Sequence, residues 1–204
     1  MNIWAHRGCS QMYPENTLLS FGKAAEIVGL TGIELDIQLT RDGHIVVFHD
    51  ESLERTTNGI GRLCDFTLSE LRKLKINSIN GGYERIPTIT EVFDLLEKRL
   101  KSGLKLNIEL KNNIIPYEGM EYKIIDLVHK CGLEDRVIYS SFSALSIEKI
   151  KELDPEAETA ILDVKVSDCL YKLKGGCGAE ALHPFWRGID LPLDRIKGYK
   201  VRAW

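Results

Sequence analysis

Five residues of this 204-residue chain have the types and spacing to do ionic and acid–base chemistry together: His6, Glu34, Asp36, His49 and Glu109. Glu34 and Asp36 lie in the stretch 32–40, where Ile33, Leu35, Ile37 and Leu39 alternate with Glu34, Asp36, Gln38 and Thr40. That period of two predicts a strand with one apolar and one polar face. If the polar face meets water, it asks for nothing. If it meets a closed interior, two carboxylates one pleat apart need a partner. A second strand, 106–111, repeats the problem, with Asn107, Glu109 and Lys111 on one face. His6 and His49 each follow a short apolar run, and histidine changes charge near neutral pH. A solvated edge strand is the plain alternative for either stretch alone. For both together, with a histidine at the end of two further strands, a buried working face is the better reading.

The elements that must position these residues alternate along the chain. Ile3–Ala5 reads as a first strand ending in His6-Arg7-Gly8. A helix follows from Leu18 to Val28, with Asn16 or Thr17 as N-cap. Residues 32–40 and 45–48 are joined by a turn at Thr40-Arg41-Asp42-Gly43. That link is too short for a parallel crossover, so the two strands pair as a hairpin, with Asp36 expected opposite His49. Residues 51–86 break the rhythm and read as an insertion. Capping boxes at Thr67–Glu70 and Thr88–Glu91 start two helices, the second running to about Leu100. Strand and helix then alternate: helix 118–131, strand 137–141, helix 144–153, strand 159–162, helix 166–174, strand 181–183, helix 192–198 and a strand-like 200–204. Repeated strand–helix units imply a parallel sheet covered by helices. In (β/α)8 barrels, active sites sit at the C-terminal ends of the strands, where these polar residues fall.

Composition narrows the function classes. A net charge of −3 with no basic stripe gives no support for nucleic-acid binding. Cys9, Cys64, Cys131, Cys169 and Cys177 form no CxxC pair, which reads as reduced thiols, neither a disulfide framework nor a zinc site. No stretch is long enough to span a membrane, and no leader-like segment opens the chain, so a cytoplasmic protein without stable membrane insertion is expected. The oligomeric state is not legible.

His6-Arg7-Gly8, Pro14-Glu15-Asn16-Thr17, Glu34-Leu35-Asp36, Phe48-His49-Asp50, Asn107-Ile108-Glu109-Leu110-Lys111 and Ser140-Ser141-Phe142 stand in an order and at spacings that resemble the glycerophosphodiester phosphodiesterase family. Weaker similarity continues through Leu182-His183-Pro184. The resemblance implies a single domain over 1–204, an α/β TIM-type (β/α)8 barrel with a small insertion at about 51–86. It implies metal-dependent hydrolysis of a small-molecule glycerophosphodiester to an alcohol and glycerol 3-phosphate. By that analogy Glu34, Asp36 and Glu109 are the ligands of one divalent cation. Their all-oxygen chemistry suits Ca²⁺ or Mg²⁺ better than zinc. His6 and His49 are the catalytic acid/base pair, in an order left open. Arg7 and Lys111 hold phosphate oxygens, and His183 and Trp204 line the substrate pocket. Family members continue past the strand resembling Val201–Trp204 to a further helix and strand. The expectation is therefore a chain truncated at Trp204, lacking the last strand and helix. A phosphodiesterase acting on phospholipid or lysophospholipid head groups, and an inactive remnant or binding module, are the alternative readings.

Overall fold

The computed structural model describes residues 2–78 and 81–204. The chain packs as two compact units, Met1–Ile108 and Glu109–Trp204. The division falls inside one continuous strand.

The first unit opens with β1 (Trp4–His6), α1 (Leu18–Ala25), β2 (Gly32–Leu39) and β3 (Ile45–Val47). Thr17 caps α1 by accepting from the Ser20 amide. β1 lies parallel to β2, with His6 in register with Glu34. Both faces of β2 are closed: Leu35 and Ile37 are buried on the apolar side, and Asp36 and Gln38 are fully buried on the other. The polar face of this strand therefore meets an interior, and its carboxylates must be compensated there.

β3 pairs antiparallel with β2, as the short link requires, but in a different register from that expected. Ile37 faces Val47, and the Phe48 amide donates to the Asp36 carbonyl, so Asp36 stands opposite Phe48 instead of His49. The cause is the turn. Thr40 N donates to His44 O, and Gly43 adopts a φ of 80°, making a three-residue loop that shifts the pairing by one. His49 leaves the ladder, and the buried Gln38 amide holds the carbonyls of Phe48, His49 and Asp50.

The insertion carries α2 (Leu68–Leu71) and the hairpin β4 (Ile76–Asn77) and β5 (Tyr83–Glu84). It has a core of its own, formed by Leu53, Leu63, Leu71, Ile76 and Ile86 against Val46 and Phe48 of the β3 arm. Both expected capping boxes are present, at Thr67/Glu70 and at Thr88/Glu91; the second starts α3 (Ile89–Lys101). β6 (Lys105–Leu110) follows, and it neighbours β2 in the strand order.

The second unit takes up the end of β6 and continues with α4 (Met120–Cys131), β7 (Val137–Ser141), α5 (Ala144–Leu153), β8 (Glu158–Asp163), α6 (Val166–Lys172), β9 (Ala181–Pro184), α7 (Leu193–Ile196) and β10 (Lys200–Val201). β7, β8, β9 and β10 pair in parallel, each with the next. Ile147, Ile161, Val166, Cys169 and Leu182 form the core under the helices. The expected strand–helix alternation is thus present throughout. Among the described residues, no helix is long and apolar enough to cross a membrane.

One close approach at the end of β1 has a direct consequence. Gly8 has a φ of 83°, and a Cβ there would lie 2.4 Å from Ser20 Oγ and 2.8 Å from the Ser20 carbonyl carbon of α1. Gly8→Ala is therefore expected to cost about 1–3 kcal/mol, read as a lowered denaturant midpoint with unchanged slope. An unchanged midpoint would show that α1 yields freely.

Candidate active site

The site is built first from the turn after β1. Arg7 and Asn16 both have a φ of 55°, in the left-handed region that costs most side chains energy. Their backbones lock each other, with Asn16 N donating to Arg7 O, while Ser20 Oγ donates to the same carbonyl. The strained geometry aims both residues at β2. Arg7 N donates to Glu34 Oε2 at 3.0 Å, and Arg7 Nε lies 3.5 Å from Asp36 Oδ2. Asn16 Nδ2 donates to the same Oδ2 at 2.8 Å, and its Oδ1 is buried without a hydrogen-bond partner. Asn16 is thus more than the start of a helix. The strain sits where the buried carboxylates need donors.

His6 Nε2 lies 3.8 Å from Glu34 Oε2. Half of the His6 side chain meets solvent, yet the protein behind it still desolvates an imidazolium. That burial, followed by repulsion from Arg7, pushes its pKa below the ordinary histidine value. His49 is held differently. Its Nδ1 is 2.6 Å from Asp50 Oδ1. Burial alone would raise the Asp50 carboxyl, but hydrogen bonds from Arg55 and then His49 outweigh it and hold it below the usual range. An ionised Asp50 only accepts, so His49 Nδ1 carries the proton and Nε2 is left for exchange.

In the second unit, Glu109 and Lys111 stand at the end of β6. Lys111 Nζ donates to Glu109 Oε1 at 3.0 Å, and both side chains are nearly buried. Trp204 is 40% exposed, its Nε1 donating to the His183 carbonyl and its ring packed against Phe142 and Phe185. His183 itself is buried, with Arg202 Nη1 3.3 Å from its Nε2. A guanidinium can only donate, so that nitrogen is an acceptor and the ring is neutral. Burial, then Arg202, push its pKa down to about 3.

One carboxylate oxygen from each of Glu34, Asp36 and Glu109 lies within 4.8 Å of the others. Oxygens on one Ca²⁺, at 2.3–2.6 Å each, can stand at most about 5 Å apart. The trio therefore fits a shared hard cation, and the orphaned Asn16 Oδ1 adds a buried neutral oxygen beside Asp36. Sequence reasoning passed over Asp50, Arg55 and, as working residues, Glu15 and Asn16. Only the adjacency of Asp50 to His49 was visible in the chain order.

The sequence profile of the glycerophosphoryl diester phosphodiesterase family matches residues 6–174. The chain belongs to that family. Among its relatives, a glycerophosphodiester phosphodiesterase of Caldanaerobacter subterraneus is 42% identical over 99% of this chain and 84% of its own length. One from Bacillus altitudinis is 42% identical over 80% of this chain and 67% of its own. An Oleispira antarctica phosphodiesterase, solved with the product sn-glycerol-3-phosphate, superposes with a TM-score of 0.81 at 29% identity, over 100% of this chain and 84% of that one. A Galdieria sulphuraria structure gives a TM-score of 0.81 at 27% identity. The strand–helix order is accordingly the TIM-barrel type of the glycerophosphoryl diester phosphodiesterase family, and the hydrolase class comes with membership.

The buried His183 carries a stability consequence. Between pH 6.5 and about 3 the unfolded chain takes up a proton that the folded ring refuses, so stability falls as pH drops through that window. The slope from this residue is at most about 1.4 kcal/mol per pH unit. Denaturation at pH 6.5 and pH 5 should show a smaller loss in His183→Gln than in the parent. Equal losses would contradict a histidine kept neutral by the fold.

Proposed function

We propose that residues 1–204 act as one catalytic domain, with 51–86 as an insertion, that hydrolyses glycerophosphodiesters to an alcohol and sn-glycerol 3-phosphate. The observation that carries this reading is the convergence of three carboxylate oxygens within 4.8 Å. Family membership and the product held by the Oleispira antarctica relative support the substrate class. Glu34, Asp36 and Glu109 would hold one divalent cation, Ca²⁺ or Mg²⁺, whose charge offsets that of the phosphodiester and its transition state.

The remaining work falls to the chain's own side chains. Arg7 is in place to steady phosphate oxygens through its fork, and Lys111 to add a point charge. His6, with its lowered pKa, is neutral at pH 7 and suited to accept the proton of the attacking hydroxyl, from water or from the neighbouring glycerol hydroxyl. His49, with Nδ1–H held by Asp50, has Nε2 free to pick up a second proton, and that imidazolium is suited to give it to the leaving oxygen and return to the Nδ1–H form. Trp204 offers an exposed ring, backed by Phe142 and Phe185, as a wall for the apolar edge of glycerol. His183 then supports that wall through its carbonyl, which accepts from Trp204 Nε1.

The test is release of glycerol 3-phosphate from glycerophosphocholine, with and without chelator. Turnover is expected to need added Ca²⁺ or Mg²⁺, and His49→Ala to lower kcat by about 10²–10⁴-fold. Metal-independent turnover, or no turnover by folded protein, would overturn the reading. Lysophosphatidylcholine in parallel separates the head-group alternative. The acidic limb of kcat/KM reports the base. His6 must be neutral to act, so the limb is expected below pH 6.5, and a limb above that value would remove His6 from this role.

A further inference from the structure

Arg55 lies outside the residues given a role above, in the segment between Asp50 and the turn at Leu63–Asp65. It is held in a tight local frame. Leu53 is fully buried, its amide donates to Gly61 O, and its carbonyl accepts from both Thr57 N and Thr57 Oγ1. The turn 53–57, which carries Arg55, is thus held at both ends.

All three guanidinium nitrogens are used on two carboxylates. Nε and Nη2 reach Asp50 Oδ2 and Oδ1 at 2.5 and 3.0 Å. Nη2 and Nη1 reach Glu15 Oε1 and Oε2 at 2.6 and 2.9 Å. Each carboxylate passes the contact on. Asp50 Oδ1 takes His49 Nδ1 at 2.6 Å, and Glu15 Oε1 takes Arg7 Nη1 at 3.0 Å. The result is a continuous ionic chain, Arg7–Glu15–Arg55–Asp50–His49, with Arg55 at its centre. Two cations and two anions balance within it.

We propose that Arg55 is a positioning residue for the phosphodiesterase reaction. Its double fork fixes Asp50, which sets the His49 tautomer and ring plane, and fixes Glu15, which orients the Arg7 guanidinium. The inference rests on the acid/base reading of His49 given above. A lysine has one nitrogen and cannot span both carboxylates, so the geometry needs the planar fork and not the charge alone. Partners that orient a working histidine are worth about 10- to 100-fold when removed.

The test uses Arg55→Met and Arg55→Lys in the full chain, each checked for an unchanged thermal midpoint. Both are expected to lower kcat for glycerophosphocholine by about 10- to 100-fold. KM should rise only a few-fold, because Arg7 keeps its contacts to Glu34 and Asp36. A second readout is independent of turnover: ¹⁵N spectra of the histidine rings in metal-free protein, with His49 assigned from His49→Gln. The parent should show His49 protonated at Nδ1, and both Arg55 variants a shift toward the mixed tautomers of free imidazole. In a double-mutant cycle, Asp50→Asn with Arg55→Met should lose no more than the worse single change, since the two act through one path. An unshifted His49 tautomer, a kcat within about 3-fold of the parent, or losses that multiply would each overturn the inference. If His49→Ala keeps full turnover, the acid/base reading fails by itself, and the tautomer comparison still decides whether Arg55 orients the ring.

Discussion

Burial of the Asp36 carboxylate is the constraint on which the rest depends. The residue is fully buried on a strand whose other face is core. An ionised carboxylate in that place is costly unless donors and counter-charges surround it. The first unit is arranged to supply them. The turn after β1 takes two left-handed residues so that Arg7 and Asn16 can reach β2. Gly8 lets α1 approach that turn closely enough for Ser20 to hold it. Strain of a kind normally avoided is tolerated because it satisfies a charge that would otherwise be worse.

The same logic explains why cations crowd the candidate site in the chain's own structure. Arg7 stands beside Asp36, and Lys111 beside Glu109. These are also the residues proposed to hold phosphate oxygens. A carboxylate cluster that binds a hard cation frees such side chains to face an anionic substrate, so one arrangement serves both stability and binding. The aromatic group of Phe142, Phe185 and Trp204 in the second unit has a different task. It gives rigid apolar surface, held by hydrogen bonds from Trp204 Nε1 to the His183 carbonyl, from Trp204 N to the Pro184 carbonyl and from Trp186 N to the Trp204 carbonyl.

The candidate site residues were legible because they obey short-range rules. The period of two in 32–40 announced a polar strand face, and the two capping boxes fixed helix starts to within a residue. The hairpin was legible too, but its register was not. Whether Asp42-Gly43 closes a two- or a three-residue loop depends on Thr40 pairing with His44, and that choice moves His49 off the ladder. The Arg55 network was hidden for another reason. Glu15 and Arg55 are 40 residues apart, and no period links them; only the packing of Leu53 brings the insertion's charge back to the first turn. Neutral burial of His183 was likewise invisible, since a strand-end histidine reads the same whether it faces a ligand or an arginine.

Glu34, Asp36 and Glu109 are proposed to hold one divalent cation. Anomalous scattering from crystals soaked in Mn²⁺, a stand-in for Ca²⁺ or Mg²⁺ with oxygen ligands, tests this proposal most directly. A single strong peak is expected about 2–2.6 Å from carboxylate oxygens of Glu34, Asp36 and Glu109, lost in Asp36→Asn. A peak elsewhere, or none at saturating Mn²⁺, would contradict it.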